Sequence, residues 1–141
     1  MEDIKIGIIG IDYLGLMDGP GSNAYESMTR LAKGMKSTAK LIGLPLIVLC
    51  QTSRKGGTGY QEVSLDMARD SGAVEESADF CLGLWQNDLS DAVIEQKQLI
   101  CKILKNRKGA AGSSWVLDMD PKTFKLGTEA TQYKPKKPKR M

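Results

Sequence analysis

The sequence predicts an α/β fold: three mostly parallel apolar strands with flanking helices, followed by a C-terminal β-hairpin. Three observations carry this expectation. Short apolar runs, the first of them β-branched, recur at residues 5–12, 46–51 and 80–85. A segment with helical periodicity separates the first two, and strand, helix, strand at this spacing is a βαβ unit whose strands run parallel. Residues 99–104 and 114–119 then read as two strands flanking a glycine-containing turn.

The first run, Lys-Ile-Gly-Ile-Ile-Gly-Ile-Asp, reads as a strand buried on both faces. Turn formers crowd residues 18–23. Asn23 followed by Glu26 forms a capping box. Behind it Met28, Leu31, Ala32, Met35, Ala39 and Ile42 recur at helical spacing, with Arg30, Lys33, Lys36 and Lys40 between them. That is an amphipathic helix of about five turns, ended by Gly43 and Pro45. Residues 46–51 are the next buried strand. The polar, glycine-rich stretch 52–65 is long for a connection and reads as functional. Residues 70–77 form a short helix, and 80–85 a third apolar strand. Residues 89–98 are ambiguous, although Ala92, Val93 and Gln96 share one helical face. Phe124 is the expected last anchor of the fold.

The chain has 141 residues and 41% hydrophobic content, enough for one domain with a core and against disorder throughout. No apolar run reaches the ~18–20 residues that a spanning helix needs. The acidic start, Met-Glu-Asp, lacks the basic region of a signal peptide, so the expected location is the cytoplasm, without membrane association. Cys50, Cys81 and Cys101 lie in apolar runs and read as buried, reduced thiols. Histidine is absent. That excludes His-based acid–base chemistry, Ser-His-Asp triads and His-ligated zinc. Five of the 20 basic residues (Lys134, Lys136, Lys137, Lys139 and Arg140) crowd the last nine positions, leaving the rest slightly acidic against 17 acids. The basic balance is therefore a property of the tail, residues 132–141, which reads as a disordered Lys/Pro segment.

Several patterns then fall in one order. A strand ends in Asp12 within Ile-Asp-Tyr-Leu-Gly-Leu-Met, and a second ends in Gln51 within Ile-Val-Leu-Cys-Gln. Arg-Asp-Ser-Gly-Ala-Val-Glu-Glu-Ser-Ala-Asp follows at 69–79, and Lys-Asn-Arg-Lys-Gly at 105–109 opens the hairpin. Over residues 4–126 this resembles the RecA-like ATPase domain of DnaB-type replicative helicases, from the Walker B strand onward. The resemblance implies a partial RecA-like P-loop NTPase core over residues 1–131. It implies that Asp12 is the Walker B aspartate and magnesium ligand, and Gln51 the glutamine that senses the γ-phosphate. A carboxylate suits the hard cation, and an amide both donates to a phosphate oxygen and accepts from water. It implies further that Lys105 and Arg107 reach into a neighbouring subunit's ATP site, with Asp12, Gln51 and Arg107 binding nucleotide. Period two on a strand points Lys105 and Arg107 to one side. Arg54, Lys55 and the amides around Gly56 and Gly57 match a DNA-binding loop and would hold phosphates of single-stranded DNA, with Tyr60 the one aromatic nearby. Arg69 and Asp70 open the family's signature without an evident chemical role, and Glu75 faces either a subunit contact or solvent.

The pattern departs from the family in one respect: Gly-x-x-x-x-Gly-Lys-Ser/Thr is missing from the sequence. ATP and Mg2+ are expected as cofactors only with a P-loop supplied from elsewhere. Partners are expected to be single-stranded DNA, other helicase subunits or a P-loop-bearing chain, in a homo- or hetero-oligomer. The resemblance implies that a P-loop strand belongs between the strand ending in Gln51 and that at 80–85. Without it those strands should pair directly, be bridged by another chain, or associate through open edges. The leading function is a part of an ATP-dependent replicative DNA helicase. The alternatives are a non-catalytic RecA-like module that binds single-stranded DNA or a helicase partner, and an inactive truncated fragment.

Overall fold

The computed structural model describes residues 5–52, 59–67, 72–87 and 97–134. Arg54, Lys55, Gly56, Gly57, Arg69, Asp70, residues 89–96 of the ambiguous segment and the tail beyond Lys134 lie outside the described residues. The chain divides into two compact units, Met1–Lys55 with Asp66–Ala78 and Gly56–Leu65 with Asp79–Met141.

In the first unit, β1 (Ile9–Ile11) pairs in parallel with β2 (Leu46–Val48), with Ile9 opposite Leu46 and Ile11 opposite Val48. The parallel pairing and the intervening helix are those of the expected βαβ unit. Burial on both faces is corrected. Ile9, Ile11, Leu46 and Val48 are half-buried on one face, whereas Ile47 on the other is 54% exposed, as are Ile8 (55%) and Leu49 (47%) beyond the strand ends. An apolar run records that a face can be buried, not that the same stretch of chain covers it.

Helix α1 (Ala24–Ile42) has both of its sequence-predicted ends. Asn23 adopts an extended backbone, and its Oδ1 accepts the Glu26 N–H at 2.9 Å, a cap worth ~0.5–2 kcal/mol. Gly43 closes the helix at φ 68°, where its lack of a Cβ matters, and its N–H donates to the Ala39 carbonyl at 3.0 Å. The capping box is shifted by one residue: the Glu26 carboxylate accepts from the Ser22 N–H (3.0 Å) and hydroxyl (2.8 Å), and also pairs with Arg30. The preceding loop lies close on this turn, for a Cβ on Gly21 would sit 2.6 Å from the Ser27 backbone nitrogen. Helix α2 (Gly72–Ser77) packs against α1, and among the described residues of this unit Leu14, Ala32 and Ala73 are the buried apolar ones.

The Ser22 N–H, then the Ser22 hydroxyl and Arg30, hold the Glu26 carboxyl down at about 2 from its ordinary 4.5. Because the folded form is the more acidic, the stabilisation is complete above about 4.5 and disappears as pH falls toward 2. Wild type should therefore be more stable than Glu26→Gln at pH 7, and the two urea midpoints should converge by pH 2. A gap that persists unchanged through that range would show that charge on Glu26 is not the source.

The second unit is a four-stranded antiparallel sheet, β3 (Phe80–Gln86), β4 (Lys97–Asn106), β5 (Ser114–Met119) and β6 (Leu126–Gln132), in that spatial order. The β4–β5 pair is the expected hairpin, its turn closed by Gly112 N–H to the Ile103 carbonyl at 2.8 Å. The fold is thus mixed α/β, but the third apolar strand is not a parallel neighbour of the first two. It runs antiparallel to β4, which pairs with β5 over Lys97–Lys102 and with β3 over Leu99–Asn106. Direct pairing of β2 with β3 is accordingly not what this structure shows: the described strands form two sheets.

Trp85, Ile100, Val116 and Thr131 lie opposite one another across the four strands, and Trp85 and Ile100 are 5% and 1% exposed. Phe124 is corrected as an anchor, being 71% exposed at φ 56°. The chain continues into β6, and Tyr133 closes the sheet. Its N–H donates to the Ser114 carbonyl at 2.9 Å, and its ring meets Trp85 edge-on at 6.3 Å. Gln132 therefore belongs to the sheet rather than to the tail. The thiols are also less buried than expected, Cys50 being exposed and Cys81 and Cys101 half-buried. Desolvation raises the Cys101 pKa. Among the described residues no helix is long and apolar enough to cross a membrane.

Candidate functional site

Parallel α/β sheets place ligands beyond the carboxyl ends of their strands, where backbone groups and strand-end side chains converge. Asp12 is the first residue after β1, and Gln51 follows β2 by three residues. Since Ile11 lies opposite Val48, both residues follow the carboxyl end of one strand pair, and both are exposed. This end is laced by backbone bonds. The Leu49 N–H donates to the Ile11 carbonyl and the Leu14 N–H to the Leu49 carbonyl, each at 2.9 Å. Leu14, 2% exposed, anchors the chain just after Asp12. Its positioning role is visible only in three dimensions, because in the sequence it is one leucine in an apolar stretch.

Among the described residues no cluster of three or more acidic or cysteine side chains forms a metal cage. A lone exposed carboxylate at a strand end does fit magnesium, which keeps most of its water and binds through one or two carboxylates plus a substrate's phosphate oxygens. Asp12 is the residue that would hold it, and the ion would supply charge neutralisation for phosphate oxygens. Gln51 brings an amide, donor and acceptor at once, to the same end of the strand pair.

The second unit holds the basic pair. Lys105 lies on β4 opposite Cys81 and is half-buried. Arg107 lies beyond the strand, which ends at Asn106, and the ladder shifts register between Cys81 and Leu82. That shift falls at Leu104, before Lys105, and the register is regular from there outward, with Cys81 opposite Lys105 and Phe80 opposite Asn106. What fixes Arg107 is Asp79: Nε lies 3.2 Å from Asp79 Oδ1, and the Arg107 N–H donates to the Asp79 carbonyl at 2.9 Å. In the sequence Asp79 closes the 69–79 motif without an evident role. Its only signal is an acid immediately before a strand, and the register of β3 on β4 supplies the rest. Glu75 sits half-buried on α2, and Tyr60 is 49% exposed. In the same unit a groove of about 570 Å³ is lined by residues of 62–65, Lys102, Ile103, Leu104, Ala111 and Gly112, with Glu62 and Lys102 ion-paired beside it.

A parallel strand pair joined by a helix, followed in the chain by a four-stranded antiparallel sheet, makes this a mixed α/β protein. The model of the DnaB-like helicase C terminal domain matches residues 1–125, and the chain belongs to that family. It is 34% identical over 118 residues to the replicative DNA helicase DnaC of Bacillus subtilis, a match over 79% of this chain and 26% of that protein. It is 32% identical over 129 residues to a probable plasmid replicative DNA helicase of Chlamydia muridarum, over 89% of this chain and 27% of that one. A solved DnaB-like replicative helicase, described with its interactions with primase, superposes with a TM-score of 0.67 at 26% identity over 81% of this chain and 29% of its own. The chain thus spans about a quarter of the length of the relatives it matches.

Proposed function

We propose that these 141 residues form the Walker B, sensor and trans-acting portion of an ATP-driven replicative DNA helicase. The observation that carries the reading is the shared end: Asp12 and Gln51 beyond the carboxyl ends of adjacent parallel strands. A nucleotide there needs an amide cradle and a phosphate-binding lysine, and this sequence has no Gly-x-x-x-x-Gly-Lys-Ser/Thr. The P-loop lies outside these residues, on the same polypeptide or another. Asp12 would hold a magnesium ion, which would neutralise phosphate charge, and Gln51 would read the terminal phosphate by accepting from water and donating to a phosphate oxygen. Lys105 and Arg107 serve the pocket of a neighbouring subunit, where a cation stabilises charge on the transferred phosphoryl group. Arg54, Lys55, Gly56 and Gly57 follow Gln51 closely in sequence, so a DNA-binding role for them would couple nucleotide state to single-stranded DNA.

The test is ATP turnover by the chain in the presence of a P-loop-bearing partner from a DnaB-like helicase, with and without single-stranded DNA. Turnover should require both polypeptides, rise with DNA, and fall at least about 100-fold with Asp12→Ala. Turnover that Asp12→Ala leaves unchanged, with DNA binding retained, would make this a non-catalytic binding module instead.

A further inference from the structure

Two contacts of different kinds join Arg107 to Asp79. One is the ion pair between Nε and Oδ1 at 3.2 Å, and the other the backbone bond from the Arg107 N–H to the Asp79 carbonyl at 2.9 Å. They meet at the end of a ladder: Phe80 lies opposite Asn106, so Asp79 and Arg107 are the next residues outward on the two strands. The backbone bond sets the distance between the two Cα atoms, and the side chains close the remaining gap. Both side chains are about half exposed, 57% for Asp79 and 50% for Arg107. An ion pair so open to water contributes little to folding. Its effect falls instead on the charge that Arg107 presents. A guanidinium with a carboxylate at its Nε offers an incoming phosphate less net positive charge, and the carboxylate itself repels the anion.

We propose that Asp79 is the intrachain counter-ion of Arg107 and sets its affinity for nucleotide phosphate, so that a phosphate group engages Arg107 in competition with the Asp79 carboxylate. The inference rests on the phosphate-binding role of Arg107 given above and adds the residue that tunes it. An isolated subunit keeps its trans-acting cation partly neutralised, and a neighbour's triphosphate, carrying more charge than one carboxylate, takes the guanidinium over.

The experiment uses the full 141-residue chain, 15N-labelled, titrated at low salt with inorganic tripolyphosphate. The Arg107 Nε–H resonance reports the site, and calorimetry gives the affinity in variants that lack it. Asp79→Asn should bind tripolyphosphate about two- to fivefold more tightly than wild type, the range an exposed ion pair can supply. Asp79→Glu, which keeps the charge, should bind as wild type does. In an Arg107→Ala background Asp79→Asn should change nothing, which separates competition for the guanidinium from a general loss of negative charge. Equal or weaker binding by Asp79→Asn, no detectable binding by either protein, or a gain that survives without Arg107 overturns the inference and leaves the catalytic assignment of Arg107 standing. Wild-type affinity in Arg107→Ala alone would remove the phosphate role of Arg107 itself.

Discussion

Arg107→Ala is expected to lower ATP turnover of the assembled helicase by about 10³–10⁵-fold, the effect of losing an arginine that stabilises transferring phosphoryl charge from a neighbouring subunit. The side chain is half exposed and its ion pair is open to water, so the folded chain should lose little stability. Loss of turnover without loss of structure is the signature of a group acting on the reaction. Because the proposed action is in trans, mixing helps to locate it. An Arg107→Ala subunit that still carries Asp12 should be rescued by a neighbour that supplies Arg107, whereas an Asp12→Ala subunit should not be rescued at its own pocket. A turnover loss below about tenfold, measured with normal assembly and a normal urea midpoint, would place Arg107 outside the chemistry.

The largest expected effect on stability lies elsewhere in the same sheet. Ile100 is 1% exposed at the centre of β4, between Trp85 and Val116 on the neighbouring strands. Truncation to alanine removes three buried carbons and leaves a cavity that the flanking strands fill only in part. The cost should be ~2–5 kcal/mol, and Ile100→Val should cost ~0.5–1.5 kcal/mol. Against a net stability of ~5–15 kcal/mol the alanine variant is a large loss. Phe124→Ala provides the contrast, since that ring is 71% exposed and its removal empties no core. Urea unfolding followed by tryptophan fluorescence reports on Trp85 and Trp115, both of which lie in this sheet. Equal midpoint shifts for Ile100→Ala and Phe124→Ala would show that the core does not centre on β4.

How much was legible in advance follows the range of the forces involved. Both ends of α1 could be read, because Asn23, Glu26 and Gly43 act on backbone groups three or four residues away. The hairpin could be read for the same reason, its turn lying between two apolar runs. Asp12 and Gln51 were legible as polar residues closing apolar runs, and the register of β1 on β2 brings them to one end of the strand pair. β6 was not legible: Leu-Gly-Thr-Glu-Ala-Thr-Gln has no apolar alternation and every one of its residues is exposed. It is a strand because the backbone of β5 offers it a ladder.

By itself, then, the sequence determined the strand–helix–strand unit, its caps, the hairpin and the placing of Asp12 and Gln51 just after apolar runs, the caps and the hairpin being products of contacts between near neighbours. Only the tertiary structure decided that Phe80–Gln86 joins β4 in antiparallel fashion, that Tyr133 rather than Phe124 closes the sheet against Trp85, and that Asp79 holds Arg107. Those depend on which distant backbone offers its hydrogen bonds and in what register, and an apolar run has the same composition whichever partner it finds.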